Sequence, residues 1–392
     1  MTPPARAGIN ALFLRPGMGG LETYVNELVG ELVRIAPGMR LTLLAGDEGR
    51  ELLGRQPWAG EVSFRTPPVL SRPGLRMLTE VSLLGWLASE TFDVLHSPAL
   101  TAPLLTTAAN VVVLADVTWI VAPTGGADVV MTERAWRAVV PAIARRADRV
   151  VAISRDGAGQ IAEHLRVPPR RIDVIPLGAS PRPAVTAAAP AELRAALGLG
   201  DGPVVLNVGA KKRHKNQAAL VRAMPSVRAA HPTAQLVLAG APTEYEQELR
   251  GEVARLGLEA AVTFCGYVSQ EQLEGLYSLA TCFAFPSLSE GFGLPILEAM
   301  ERGLPVACSD VSAMPEVAGE AALLFDPRDD EAVAQALIRL LGDAALRELL
   351  AGAGRARKRL FSWRTTAERT IDCWERAVAA RRGKSQARSA RR

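Results

Sequence analysis

Glu290 and Glu298 are separated by seven residues in the segment SLSEGFGLPILEAM, 287–300, which directly follows CFAFP, a short run of buried-strand character. Between them, Gly291 and Gly293 permit a tight turn, and Pro295 suits the first turn of a helix that runs through LPILEAMERG and ends at Gly303. A strand, a glycine turn and a helix start bring several free amide N–H groups to one point, and such a point attracts phosphate. The two carboxylates can face a common space on either side of it, where a carboxylate accepts hydrogen bonds from hydroxyls, often two at once. Acid, amides, acid is the complement of a molecule with hydroxyls at both ends and phosphates in the middle, which describes a nucleotide sugar. The competing reading makes Glu290 a helix cap and Glu298 part of a solvated helix face, and an isolated pair at this spacing does not choose between them.

A second chemical cluster lies in VGAKKRHKNQAAL, 208–220, where Lys211, Lys212, Arg213, His214 and Lys215 fall between a strand end and a helix. A diphosphate leaving group gains negative charge as its bond to the sugar breaks. Fixed cations aimed at it lower the barrier in place of a metal ion. A charge run with no such partner is a solvated loop.

These residues need elements to carry them. Short β-branched or apolar runs alternate with stretches of helical period along the whole chain, the pattern of parallel βαβ units. The first half predicts strands near 8–14, 41–45, 62–66, 93–96, 110–115, 149–153 and 172–175. The stretch 176–203 is rich in Pro, Ala and Gly and marks a domain boundary. The second half restarts with strands near 204–208, 235–239, 262–265, 282–285, 305–308 and 322–325. The expectation is an α/β protein of two Rossmann-like, doubly wound domains, 1–178 and 179–361. Ligands of such sheets bind beyond the carboxyl ends of the strands, so two facing sheets are expected to form one deep cleft. The helical segment 362–380, with Trp363 and Trp374, is expected to cross back to the first domain, and 381–392 reads as a solvated basic tail.

In the first half, RPGMGGLETYVNELVGEL places Gly19 and Gly20 in a turn before an amphipathic helix, where backbone could approach phosphate, although glycines after a first strand are also common packing devices. His96 and Asp116 each close a predicted strand, where cleft residues belong, although a single histidine is more often structural than catalytic. Ser154 reads as a helix cap.

SEGFGLPILEAM resembles the E-x7-E signature of retaining glycosyltransferases of the GT-B fold, family 4. The likeness continues through LEAMERGLPVACSD, SAMPEVAG at 312–319 and GEAALLFDPRDDEAVAQAL at 319–337, and it is patchier in the first half. It implies that Glu298 holds the ribose hydroxyls, that Glu290 contacts the donor sugar, and that the amides of Gly291, Phe292, Gly293 and Leu294 hold sugar and diphosphate. Lys215 matches the family's diphosphate lysine. His214 stands where the related V-G-x-x-x-x-R-K-N variant has Arg, and Ala210 where other members have Arg, so Arg213, Lys212 or a protonated His214 must supply the second charge. Gly19, Gly20 and Glu22 resemble the G-G-x-E element, and His96 the strand-end H-S-x element. The family's His-Asp pair reads Ala115-Asp116 here, which removes a histidine from the acceptor side.

The expected reaction is transfer of a hexose, mannose among the candidates, from a GDP- or UDP-linked donor to a hydroxyl of a glycan, a lipid-linked acceptor or a small molecule. Two other readings stand beside it: a noncatalytic nucleotide-sugar-binding subunit, or an inverting transferase or epimerase of the same fold. With four histidines in the chain, no H-E-x-x-H and no D-x-D placed for the cleft, neither a metal nor another cofactor is expected. The 392 residues are 48% apolar and 22% charged, the balance of a folded chain of about two domains. A formal charge of +4 does not mark a nucleic-acid binder. Cys265, Cys282, Cys308 and Cys373 form no C-x-x-C pair, which fits a reducing cytoplasm. No signal peptide and no run long enough to span a bilayer is read. Peripheral contact with the inner face of a membrane rests on segment 69–87, where Arg72 and Arg76 lie beside an apolar face; a core-packed helix is the alternative. The Arg- and Ala-rich composition fits a high-GC bacterial source, and with it polysaccharide, glycolipid or natural-product assembly.

Overall fold

Parallel strands buried on both faces need helices on both faces, and that demand organises each half of the chain. The structure, a computed structural model, describes residues 4–66, 80–81, 91–115, 117, 127–179 and 185–389. The chain divides into one unit of Met1–Ser180 with Phe361–Arg392 and another of Pro181–Leu360. Asp116 and nearly all of segment 69–87 lie outside the described residues.

The first unit holds β1 (Arg6–Asn10), β2 (Arg40–Leu44), β3 (Ser63–Arg65), β4 (Val94–Ser97), β5 (Ala109–Leu114), β6 (Arg149–Ala152) and β7 (Ile172–Val174). They pair in parallel in the order β3-β2-β1-β4-β5-β6-β7. The second holds β8 (Val204–Val208), β9 (Gln235–Ala239), β10 (Val262–Cys265), β11 (Cys282–Phe285), β12 (Val306–Ser309) and β13 (Ala322–Phe325), parallel in the order β10-β9-β8-β11-β12-β13. In each sheet the winding reverses once, between β1 and β4 and between β8 and β11. Loops leaving the two strands on either side of that point diverge at their carboxyl ends and open a crevice.

The core of the second unit forms where Leu220, Val221, Met224 and Val227, on the helix Gln217–Ala230, meet Leu236 and Leu238 of β9 and Val333 and Leu337 of the helix Asp330–Gly342. Each such side chain withdrawn from water contributes about 1.5–3 kcal/mol, so the scaffold beneath the site loops is firmly held.

Two expectations change. The strand expected over 8–14 is β1, Arg6–Asn10. The chain leaves the sheet at Asn10, whose Oδ1 accepts from the Leu12 N–H at 3.2 Å. Leu12, Phe13 and Leu14 are buried loop residues, so an apolar run continued past the strand. The basic stretch from 381 continues the C-terminal helix, which runs Trp363–Ser389, with Arg382, Gly383, Lys384 and Gln386 exposed. It begins against the first unit, where a Cβ at Gly178 would collide with the Trp363 backbone and Thr366 Oγ1 donates to the Pro176 carbonyl at 2.8 Å. Near its end Arg381 and Lys384 reach Asp148 at 3.0 and 2.8 Å. The Asp148 side chain is wholly buried, and a buried carboxylate needs such partners. Among the described residues no helix is long and apolar enough to cross a membrane.

Candidate functional site

The loops after β8 and β11 are stitched together by backbone geometry. Asn216 adopts a left-handed conformation, φ 53°, which asparagine tolerates better than most residues. From there its Nδ2 donates to the carbonyls of Pro286 and Pro327 at 3.1 and 2.8 Å, and the Leu288 N–H donates to the His214 carbonyl at 2.8 Å. A single 3-10 turn, Arg213–Lys215, therefore holds Lys215 beside the strand-end loop that carries Glu290. Lys215 Nζ donates to both carboxylate oxygens of Glu290, at 2.6 and 2.9 Å. The side chains are 20% and 12% exposed, and the ammonium sits 5.6 Å from the centre of the Phe285 ring.

Glu290 is held by its backbone as well. Ser312 Oγ accepts from the Glu290 N–H at 3.2 Å and donates to the Glu290 carbonyl at 2.8 Å. Ser312 follows β12 and has φ 57°, a left-handed geometry that nothing in its sequence neighbourhood advertised. After Gly291 and the buried Phe292, Gly293 takes φ 108° and opens the helix Leu294–Glu301. Phe292 is packed inward and Gly291 and Gly293 have no side chains, so an anion at this point would meet the backbone N–H groups of a helix start.

Glu298 lies on that helix, partly buried, and accepts from Tyr277 Oη at 3.2 Å. Burial pushes its carboxyl above the ordinary range, and Arg302 with the Tyr277 hydrogen bond partly offsets this. Thus Lys215, Glu290, the helix start and Glu298 gather on the loops and helix that follow β8 and β11, the two strands at the switch point of the second sheet.

The rest of the basic run has other partners. Lys211 is fully buried: its ammonium donates to the carbonyls of Gly240 and Cys265, the latter at 2.6 Å, and ties the ends of β9 and β10 together. Burial pushes its pKa down. Arg213 binds Glu248 at 2.5 Å and lies over the Tyr245 ring, so it is drawn to the helix Tyr245–Arg255 and not to Glu290. Lys212 is exposed and makes no ion pair among the described residues, and His214 is partly buried. Among the described residues no three His, Cys, Asp or Glu side chains cluster in a way that could hold a metal ion.

In the first unit, Gly17 and Gly19 lie in an exposed turn that leads into a helix beginning at the exposed Gly20. Gly17 and Gly19 have φ of 82° and 58°, and Glu22 reaches back to the Gly17 N–H at 3.1 Å, so the acid orders the glycine turn. His96, expected at the cleft end of its strand, packs in the core. It is fully buried on β4, with Nδ1 3.1 Å from Trp374 Nε1 and Nε2 3.0 Å from Tyr24 Oη. An indole N–H only donates, so Nδ1 accepts, the ring proton is on Nε2, and Tyr24 receives it. Desolvation pushes the His96 pKa down to about 3. The histidine is a neutral hydrogen-bonded core residue joining the first helix (Gly20–Ile35), β4 and the C-terminal helix. Ala115 follows β5, and Ser154 caps the helix Arg155–Leu165 by accepting from the Gly157 N–H at 3.0 Å.

Sequence reasoning missed Asn216, Ser312, Tyr277 and Arg302. Ser312 stands in the SAMPEVAG stretch already noted, whereas Tyr277 and Arg302 are ordinary positions in helical segments.

Comparison with known proteins places these features. Residues 191–357 match the family model "Glycosyl transferases group 1", and residues 18–182 match "Glycosyltransferase Family 4". The chain is similar to O-antigen chain mannosyltransferase B of Escherichia coli, 37% identical over 174 residues, covering 43% of this chain and 45% of the relative. It is also similar to D-inositol 3-phosphate glycosyltransferase of Acidothermus cellulolyticus, 36% identical over 261 residues, covering 63% and 57%. The chain thus spans about half the length of the curated relatives it matches. Among solved structures, sucrose-phosphate synthase from Thermosynechococcus elongatus superposes with a TM-score of 0.73 at 23% identity, over 96% of this chain and 99% of that one. Anabaena Alr3699/HepE in complex with UDP and glucose gives 0.72 at 21%, over 94% and 98%. At these identities the likeness is one of fold: two parallel-sheet, Rossmann-like α/β domains of the GT-B class.

Proposed function

We propose that this chain, built from a Glycosyltransferase Family 4 domain and a Glycosyl transferases group 1 domain, is a retaining glycosyltransferase that moves a hexose from a nucleoside diphosphate to an acceptor hydroxyl without a metal ion. The observation that carries this reading is the gathering of Lys215, Glu290 and Glu298 around one helix start at the switch point of the second sheet. Glu298 takes the ribose hydroxyls, the amides of 291–294 and Lys215 take the diphosphate, and Glu290 takes the sugar hydroxyls. As the glycosidic bond lengthens, negative charge grows on the leaving phosphate and Lys215 stabilises it, so the cation acts where the charge develops. The acceptor attacks from the face the phosphate leaves, through an oxocarbenium-like state, and the leaving phosphate takes the hydroxyl proton.

The names of the relatives support mannose as donor sugar and a glycan or inositol phosphate type of hydroxyl acceptor. Ala115, where the resemblance leads one to expect histidine, favours a second reading: a subunit that binds nucleotide sugars without turning them over.

Incubation of the purified chain with GDP-mannose, UDP-glucose or UDP-galactose together with a hydroxyl acceptor, a mannose-terminated glycan or inositol 3-phosphate, with and without excess EDTA, tests the proposal. Release of nucleoside diphosphate that persists in EDTA, with the α-anomeric product of an α-linked donor seen by proton NMR, is the expected result. Turnover that requires added Mg2+, or an inverted product, refutes it, and tight donor binding with no turnover selects the binding subunit.

A further inference from the structure

Three side chains next to Glu298 take no part in the reading above. Glu274 and Tyr277, on the helix Gln270–Leu279, are 2% and 3% exposed, and Arg302, just past the helix Leu294–Glu301, has a side chain 8% exposed. Arg302 Nε donates to Glu274 Oε1 at 2.9 Å, and its Nη1 donates to the backbone carbonyl of Glu298 at 2.8 Å. Its guanidinium lies 4.4 Å from the centre of the Tyr277 ring, and the Phe283 ring of β11 lies 6.0 Å away. The ring is therefore held between a cation and an aromatic neighbour, and its hydroxyl is aimed at Glu298 Oε2, 3.2 Å away.

A buried ion pair contributes little net stability compared with apolar residues of the same volume, so packing alone does not account for placing this one against a tyrosine. What the pair does is fix a phenol. Burial and the Glu298 charge hold the Tyr277 hydroxyl protonated, so it stays a donor. Its bond orients the carboxylate, and among the described residues Oε1 of Glu298 accepts no hydrogen bond. An ionised carboxylate with one oxygen tethered retains acceptor sites on both oxygens. That is the geometry required to accept two vicinal hydroxyls at once.

We propose that Tyr277, clamped by the Glu274–Arg302 pair, is a positioning residue that sets Glu298 for bidentate recognition of the vicinal hydroxyls of a nucleotide ribose. The inference rests on the assignment of Glu298 as the ribose acid. Its signature is a loss of discrimination between ribose and deoxyribose, which general loosening of the fold would not produce.

Isothermal titration of the full chain with UDP and GDP, each against its 2′-deoxy counterpart, tests it in the wild type and in Tyr277→Phe, Glu274→Gln and Glu298→Gln. The wild type is expected to prefer the better-bound ribonucleotide by at least about tenfold, the worth of a hydrogen bond to a charged group. Tyr277→Phe and Glu274→Gln are expected to reduce that ratio to within about twofold, and the Tyr277→Phe/Glu298→Gln pair to lose no more than Glu298→Gln alone. If both Tyr277→Phe and Glu274→Gln keep the wild-type ratio while Glu298→Gln abolishes it, the positioning role is wrong and the ribose assignment stands. If the wild type shows no preference, or Glu298→Gln leaves it intact, both fall. Should Tyr277→Phe fail to fold, Glu274→Gln decides alone.

Discussion

Lys215 and Glu290, 75 positions apart in sequence, share two hydrogen bonds of 2.6 and 2.9 Å across the switch point of one sheet. Each neutralises the other in a largely desolvated setting, so the pair is a resting contact. A diphosphate and a sugar must compete for it when they bind.

Lys215→Ala is therefore expected to act twice. Loss of one contact to the developing phosphate charge costs about 3 kcal/mol in the transition state, or roughly a hundredfold in kcat. The same change strands the Glu290 carboxylate, so stability falls by about 1–3 kcal/mol. Steady-state kinetics beside urea denaturation checks both; a kcat within twofold of wild type ends the leaving-group role.

Glu290→Gln separates binding from turnover. It frees Lys215 for phosphate while removing the sugar contact, so GDP or UDP, which lack the sugar, should bind equally well or up to about tenfold more tightly, a gain of up to about 1.4 kcal/mol. Turnover of the sugar nucleotide should drop. Weaker binding of the free nucleotide by titration calorimetry would show that the ion pair does not compete with phosphate.

His96 makes stability depend on pH with a definite sign. Its folded pKa is pushed down to about 3 from an ordinary value near 6.5, so below 6.5 the unfolded chain binds a proton that the folded chain refuses. The stabilisation is complete above about 6.5 and is lost as pH falls toward 3, at about 1.4 kcal/mol per pH unit. Between pH 7 and pH 5 the wild type should lose about 2 kcal/mol more than His96→Gln. Denaturation curves with the same pH dependence in the two proteins would contradict the buried neutral ring.

Asp148→Asn should release the end of the C-terminal helix. It removes the charge that Arg381 and Lys384 share, and because both cations are partly exposed they can return to water, which limits the cost to about 1–3 kcal/mol. Hydrogen exchange of amides 378–389 should accelerate while that of β8–β13 stays unchanged. Unaltered exchange at 378–389 would mean the helix is held by its apolar face alone.

Much of the molecule was legible in one dimension because the signals are local. Alternation of apolar runs with helical periods, the proline- and alanine-rich break before 203, and a glycine turn between strand and helix all act over a few residues, and they set the two α/β domains and the neighbourhood of Glu290 and Glu298. Errors came where an apolar or charged run had a different cause than the usual one. Leu12–Leu14 are apolar because a loop is buried, and Arg381 and Lys384 are basic because one aspartate is.

Partnership was decided only in three dimensions. Four cations in a row, Lys211 to Lys215 with His214 among them, look equivalent in sequence. The fold sends one into the core, one to Glu248 and one to Glu290. His96 at a strand end reads as a cleft residue until the C-terminal helix brings Trp374 to its Nδ1 across 278 positions. The sequence determined which chemical groups stand at the ends of the strands, because periodicity is a short-range property. Which of them stay available for a ligand was set by tertiary packing, because desolvation and hydrogen-bond geometry depend on neighbours that arrive from anywhere in the chain.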